Sequence, residues 1–242
     1  MSNRWFGVEI EFDSADLGMT GVANVLRDAF NRAGFRQWHW DRRMDYDGSD
    51  IELKTPRLRG NEGFEKLQCV METLTANDCI TTEADGMHVH HDAPEYISNI
   101  DACIQLVKSW KRNSHLIYRF VDSYRLGSGY DEYEETFGYW ACPQWQDNEI
   151  DLFERTRMIP SYVRHDLNLA SLHRHGTIEI RLHEGTLYFP EAKSWIEFGQ
   201  GFIERILSHQ MYDSSTPEKL LEKIRINPDA KERLLNKARY YG

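Results

Sequence analysis

The stretch that decides the fold is "TIEIRLHEGT", residues 177–186. Apolar and polar side chains alternate along it, so we predict a β-strand with one apolar face and one ionisable face. The apolar face would carry Ile178, Ile180 and Leu182, and the other face Thr177, Glu179, Arg181 and His183. Taken alone, this strand fits either a solvated sheet surface or a site for a metal ion or a phosphate.

Two further stretches show the same alternation with similar chemistry. "GVEIEF" places Glu9 and Glu11 on one face, roughly 7 Å apart by the usual rise of a strand. "GMHVHHD" places His88 and His90 on one face. Solvated strand faces usually carry Thr, Lys, Ser and Gln, whereas these faces carry carboxylates and imidazoles. The joint pattern therefore favours a functional site.

The chemistry of such a site follows from the repulsion between its carboxylates. Two carboxylates ~4 Å apart repel each other by about 4 kcal/mol at a near-surface effective dielectric, so a cluster of them requires cations. Carboxylate oxygens with an imidazole nitrogen suit Mg²⁺ or Mn²⁺, and paired ions are a recurrent device for phosphoryl transfer.

The charge of the chain limits its partners. A formal net charge of -10 disfavours nonspecific nucleic acid binding, which depends on Lys and Arg neutralising phosphates. The segment 164–183 is locally cationic, however, and suits a small anionic ligand such as a phosphorylated metabolite.

Composition also indicates the compartment. The four cysteines contain no CxxC pair, which fits a reducing environment. Neither a signal peptide nor an apolar run long enough to cross a bilayer is evident, so we expect a cytoplasmic protein that does not interact with membranes.

The periodicity of the whole chain predicts an α+β fold with a largely antiparallel sheet. We predict strands at 5–13, 35–40, 50–56, 79–83, 86–92, 164–172 and 176–182 and helices at 20–33, 61–76, 98–123, 149–156 and 190–208, with two more after Pro217 and Pro228. Thr20 is the expected N-cap of the first helix, 98–123 the longest helix, and 125–149 a long, aromatic-rich loop. We expect one catalytic domain over 1–242, with 210–242 forming a C-terminal helical cap.

Six motifs in a fixed order resemble the amidoligase family, relatives of glutamine synthetase and glutamate-cysteine ligase. They are "GVEIEF", "DYDGSDIELKTPRLRG", "DGMHVHHD", "DSYR", "HDLNL" and "GTIEIRLHEGT", and the resemblance covers roughly residues 5–200. It implies a glutamine synthetase-like curved, mostly antiparallel sheet packed with helices.

The resemblance also implies roles for individual residues. Glu9, His88 and Glu179 would hold an ion that bridges the β- and γ-phosphates of ATP, and Glu11 with Glu52 an ion nearer the acceptor carboxylate. Without the resemblance, Glu52 would be an ordinary strand residue beside Lys54.

Further residues would contact the nucleotide. Arg181 would meet the transferring phosphoryl group, and Arg125 is a second phosphate or substrate candidate, or else a helix C-terminal arginine that interacts with the helix dipole. His90 would contact the nucleotide or support the metal ligands. Asn168 would contact the nucleotide or bond only to neighbouring backbone.

The implied reaction is ATP- and Mg²⁺-dependent (or Mn²⁺-dependent) ligation of a carboxylate to an amine through an acyl phosphate, with two or more ions. The partners would be small-molecule or peptide carboxylate and amine substrates, and an oligomer is compatible with the sequence. Neither a GxSxG elbow nor a GxxxxGK[ST] loop is present. Two alternatives are a metal-dependent phosphoesterase or amidase that uses the same Glu/His cluster, and a non-catalytic nucleotide-binding relative that uses the aromatic loop as a contact surface.

Overall fold

A computed structural model describes residues 3–14, 17–35, 39–42, 50–122, 144–161, 165–208 and 213–241. Their strands are β1 (Phe6–Asp13), β2 (His39–Arg42), β3 (Asp50–Lys54), β4 (Gly86–Asp92), β5 (Leu167–Asn168) and β6 (Thr177–Glu184). These form one sheet in the order β2-β3-β1-β4-β6-β5, and each neighbouring pair is antiparallel.

Helices cover the apolar face of this sheet. They are α1 (Gly18–Arg32), α2 (Gly60–Thr75), α3 (Pro94–Ile97), α4 (Ile100–Ile117), α5 (Asp147–Thr156), α6 (Ala170–His175), α7 (Phe189–Ser208), α8 (Pro217–Lys223) and α9 (Pro228–Tyr240). Trp110 of α4 and Phe202 of α7 pack with ring centroids 5.4 Å apart, in the same core as Val8 and Ile180 of the sheet. The predicted α+β class with an antiparallel sheet is confirmed. In the described part of the chain, no helix combines the length and apolarity that crossing a membrane requires.

Several predicted elements have different limits in the structure. Helix α1 begins at Gly18 without a side-chain cap, so the N-cap role predicted for Thr20 is wrong. Helix α4 ends at Ile117, and the 20-residue α7 is longer. The stretch 79–83 forms no strand and contributes only one isolated bridge, between Asp13 and Ile80.

The predicted strand over 164–172 is reduced to the two residues of β5. The side-chain oxygen of Asn168 accepts a hydrogen bond from the backbone N–H of Ala170 at 2.9 Å, which turns the chain into α6. Helix α6 then ends at Gly176, whose φ of +69° suits glycine. Local side-chain bonding thus replaces the longer strand that alternation predicts.

A bulge changes the ionisable face of β6. The register between β4 and β6 shifts between Met87 and Val89, which places His183 opposite Met87 on the apolar side. The ring of His183 lies 5.1 Å from that of Trp195 in α7. The prediction that His183 shares a face with Glu179 is therefore wrong.

The C-terminal helices α8 and α9 bury Leu220, Leu221 and Leu234 in the main core. The sequence predicts one catalytic domain with residues 210–242 as a helical cap, and this division stays a prediction. Of the predicted loop 125–149, residues 125–143 lie outside the described residues, and α5 begins at Asp147.

His91 is a fully buried polar residue on the apolar face of β4. Neither ring nitrogen has a hydrogen-bond partner within the described part of the chain. Helix α7 approaches closely there, since a Cβ added to Gly199 would lie 2.3 Å from His91 Nε2. Burial lowers the pKa of His91 to about 3, and the charge of Arg4 acts in the same direction.

This depressed pKa predicts a loss of stability in mild acid. An unfolded histidine titrates near pH 6.5, so between about pH 6.5 and 3 the unfolded chain binds a proton that the folded protein excludes. Above pH 6.5 His91 is neutral in both the folded and the unfolded chain, so it does not lower the stability there. By pH 5 we expect the free energy of unfolding to have fallen by about 2 kcal/mol. Urea unfolding of the wild type and of His91→Leu from pH 5 to 7 measures this difference. An NMR titration that protonates His91 near pH 6 would contradict it.

Candidate metal centre

The antiparallel register gathers ionisable residues from β1, β3, β4 and β6 on the face opposite the helices. Glu9 lies opposite His88, and His90 lies opposite Glu179. On the other side of β1, Lys54 lies opposite Glu9. Because β4 pairs with β1 on one side and with β6 on the other, side chains that are far apart in the sequence meet here.

Two clusters of potential ligands share Glu9. In the first, Nε2 of His90 lies 3.5 Å from Glu9 Oε1 and 3.8 Å from Glu179 Oε1. In the second, Nδ1 of His88 lies 3.4 Å from Glu9 Oε2, with Glu52 close by. Within each cluster the candidate ligand atoms all lie within 4.8 Å of one another. Ligands bound to one Mg²⁺ at 2.0–2.1 Å lie about 3 to 4 Å apart, so both clusters need only slight contraction to hold an ion.

The pKa values of the neighbouring Glu9 and Glu52 are shifted in opposite directions. Burial raises the pKa of Glu9, but hydrogen bonds and charge from His88 and His90 outweigh burial and hold this pKa well below its usual range. The pKa of Glu52 is raised, first by burial and then by the negative charge of Glu9. Glu9 therefore remains ionised, and a cation between the two glutamates would relieve their repulsion.

Lys54 already supplies one positive charge at this place. Its Nζ lies 3.2 Å from Glu52 Oε2 and 3.6 Å from Glu9 Oε1. This ammonium group therefore offsets part of the negative charge of Glu9 and Glu52.

Glu179 is oriented by two donors. Asn168 Nδ2 donates to Oε2 at 2.6 Å, and Arg181 Nη1 donates to Oε1. Asn168 belongs to β5 and lies opposite Glu179 in the ladder, while Arg181 is two residues further along β6. These contacts fix the carboxylate with its Oε1 toward both His88 and His90.

A protein-family model described as "Putative amidoligase enzyme" matches residues 41–203. The chain belongs to this amidoligase family. Family membership confirms the resemblance seen in the motifs and places the chain among enzymes of the ligase type. No curated protein matches the chain.

The matched range includes part of the candidate metal centre. Glu52, His88, His90 and Glu179 lie inside the matched range, whereas Glu9 and Glu11 precede it. It is the pairing of β1 with β3 and β4 that brings Glu9 to the other residues.

Glu11 is placed differently from the other predicted ligands. It lies opposite Glu52 in the ladder, but the residue is only 4% exposed and its carboxylate accepts a hydrogen bond from the N–H of Gly86 at 2.6 Å. Among the described residues, Glu52 groups with Glu9 and His88 and not with Glu11. A role for Glu11 as a metal ligand stays a prediction.

Of the predicted loop 125–149, only residues 144–149 are described by the structure. Arg125 lies outside the described residues, and its role stays a prediction. Trp145, at the end of the predicted loop, is buried, stacks on His165 and donates to the carbonyl of Leu167. This tryptophan is therefore a core residue and not part of an exposed recognition surface.

A cavity of about 320 Å³ opens beside the first cluster. Glu9, His90 and Lys54 contribute to its wall, and Gly7 leaves open space where any other residue would carry a Cβ. Sequence reasoning did not find this cavity, although Gly7 precedes Glu9 by two residues and therefore belongs to the same strand face. Its size is in the range of small-molecule pockets.

Proposed function

We propose that this amidoligase-family protein is an ATP- and Mg²⁺-dependent carboxylate-amine ligase that forms an amide or isopeptide bond through an acyl phosphate. The observation that carries the proposal is the convergence of Glu9, His88, His90 and Glu179 beside an open cavity. Arg181 donates a hydrogen bond to the carboxylate of Glu179. Such a site fits a ligand that carries both phosphates and metal ions.

The residues of the site fit divalent cations. Carboxylate oxygens and imidazole nitrogens are suitable donors for Mg²⁺ or Mn²⁺. Glu9, His90 and Glu179 would hold one ion, and Glu9, Glu52 and His88 another. A bound ion would neutralise phosphate oxygens of ATP during transfer. This division gives His90 a larger role than the family resemblance implies.

The side chains of the chain would orient the reactants and balance their charge. Arg181 is held beside Glu179 with its side chain 26% exposed, so its guanidinium group lies where it would meet the transferring phosphoryl group. The substrate carboxylate attacks the γ-phosphorus of ATP and releases ADP. The amine then attacks the acyl carbon, loses a proton and expels phosphate, so no covalent enzyme intermediate is required.

A trapping experiment tests this proposal. The protein is incubated with ATP, Mg²⁺ and pools of carboxylic acids, with hydroxylamine as the nucleophile, and hydroxamates are sought by mass spectrometry. We expect ADP and a hydroxamate to form in equal amounts from one class of acid, and neither to form when Mg²⁺ is chelated. Product formation without ATP consumption would contradict the ligase and support a metal-dependent hydrolase that uses the same cluster.

A further inference from the structure

The imidazole of His90 has a hydroxyl pair on the side away from the carboxylates. Its Nδ1 lies 3.0 Å from Thr177 Oγ1 and 3.2 Å from Ser171 Oγ, and the two hydroxyl oxygens are 2.8 Å apart. Its Nε2 faces Glu9 and Glu179. Every polar atom of this ring therefore has a defined neighbour.

The turn between α6 and β6 brings the two hydroxyl groups together. Ser171 lies in the first turn of α6, and Thr177 is the first residue of β6. Gly176, in a left-handed conformation, reverses the chain between them, and its carbonyl accepts from the N–H of Ala93 just after β4. Ser171 is 3% exposed, so water has little access to its hydroxyl group.

A hydroxyl group is both a donor and an acceptor, whereas a carboxylate or a carbonyl oxygen only accepts. Without a cation, a neutral His90 is best placed with its proton on Nε2, directed at the carboxylates, while Nδ1 accepts from a hydroxyl. With a cation between Glu9 and Glu179, Nε2 must carry a free lone pair and Nδ1 must carry the proton. The hydroxyl pair satisfies both states by reversing its O–H directions.

We propose that Ser171 and Thr177 are positioning residues that allow His90 to change tautomer and bind a divalent cation through Nε2. For the neutral ring, the change moves one proton from Nε2 to Nδ1 by exchange with solvent, so no proton is gained or lost overall. The inference rests on the proposed function only for the presence of a divalent cation in the first cluster. It requires neither ATP nor turnover.

Cation affinity tests the inference directly. Binding of Mn²⁺ to the full-length protein without nucleotide is measured by the EPR signal of free Mn²⁺. We expect Thr177→Val, which keeps the branched shape but lacks the hydroxyl, and Ser171→Ala to bind Mn²⁺ about 10- to 100-fold more weakly. Thr177→Ser should restore affinity. Thr73→Val, which removes a buried hydroxyl that bonds to the carbonyl of Cys69 in α2, should bind as the wild type does.

A spectroscopic measurement separates positioning from a general loss of structure. In the ¹⁵N-labelled wild type, addition of Mg²⁺ should move the His90 proton from Nε2 to Nδ1, as read from long-range ¹H–¹⁵N correlations. Unchanged Mn²⁺ affinity in both hydroxyl-deleted variants, an unchanged tautomer, or no Mn²⁺ binding by the wild type would overturn the inference. If Thr177→Val does not fold, the Mn²⁺ affinity of Ser171→Ala alone tests the inference. A wild type that shows these binding effects but no ATP-dependent ligation would contradict the proposed function and leave this inference standing.

Discussion

Replacing Glu179 with glutamine is expected to remove Mg²⁺-dependent ATP consumption while the protein remains folded. Glutamine keeps the size of the side chain and can still accept a hydrogen bond from Asn168. It lacks the negative charge that would bind a cation and that holds Arg181. Loss of an outer partner of a metal ligand typically costs 10- to 100-fold, so we expect loss of the ligand itself to lower kcat/KM by more than about 100-fold.

Glu9→Gln should have an effect at least as large. Glu9 belongs to both clusters, so its replacement weakens two candidate cation sites at once. It also removes the carboxylate that faces the imidazoles of His88 and His90.

Both variants are compared with a matched substitution outside the site. Glu62→Gln changes an exposed carboxylate on α2 that forms an i,i+4 pair with Lys66, so its activity should be unaltered. ADP release is followed with a coupled assay, and thermal unfolding shows that each variant is folded. Full turnover in Glu9→Gln or Glu179→Gln would refute the assignment of this site.

Alternation was enough to predict the polar face of the sheet, because the period of a strand fixes which residues share a side. Glu9, His88, His90 and Glu179 all lie where that period places them. The same rule failed for His183, since a β-bulge inserts a residue and reverses the remaining alternation. Nothing in the composition of "TIEIRLHEGT" marks the position of that bulge.

Strand neighbours were harder to derive than strand faces. Glu9 and His88 are 79 residues apart, and periodicity does not specify which strands pair. The resemblance to the amidoligase family, and not periodicity, indicated that these residues lie in one site. The hydroxyl pair at His90 was missed because Ser171 lies in a helix where alternation predicts a strand. Asn168, whose side chain caps this turn, was the available signal.

Asp166 connects the sheet edge of the site to the helical layer. Its Oδ2 accepts hydrogen bonds from Trp110 Nε1 at 2.8 Å and from the hydroxyl group of Tyr118 at 2.7 Å, and its Oδ1 accepts from the N–H of Leu167. Its carbonyl accepts from the N–H of Arg181. The residue is fully buried, and burial raises the pKa of its carboxyl group despite these three donors. The carboxyl group therefore anchors the start of β5 to the helical layer and the carbonyl joins it to β6, two residues before Asn168 contacts Glu179.

Asp166→Ala is consequently expected to be the most destabilising of the substitutions considered, by about 4 kcal/mol in the free energy of unfolding. The reason is that the donors on Trp110, Tyr118 and Leu167 lose this acceptor, and a buried donor left unsatisfied, such as Trp110 Nε1, costs about 1 to 3 kcal/mol. Asp166→Asn is the matched control: its amide oxygen can still accept, so urea unfolding should show a clearly smaller loss. Trp110→Phe and Tyr118→Phe in the Asp166→Ala background should then cost less than they do in the wild type, because the carboxylate to which they donate is already absent. Equal stability of Asp166→Ala and Asp166→Asn would mean that the hydrogen bonds do not hold β5, and the orientation of Glu179 by Asn168 would need another support.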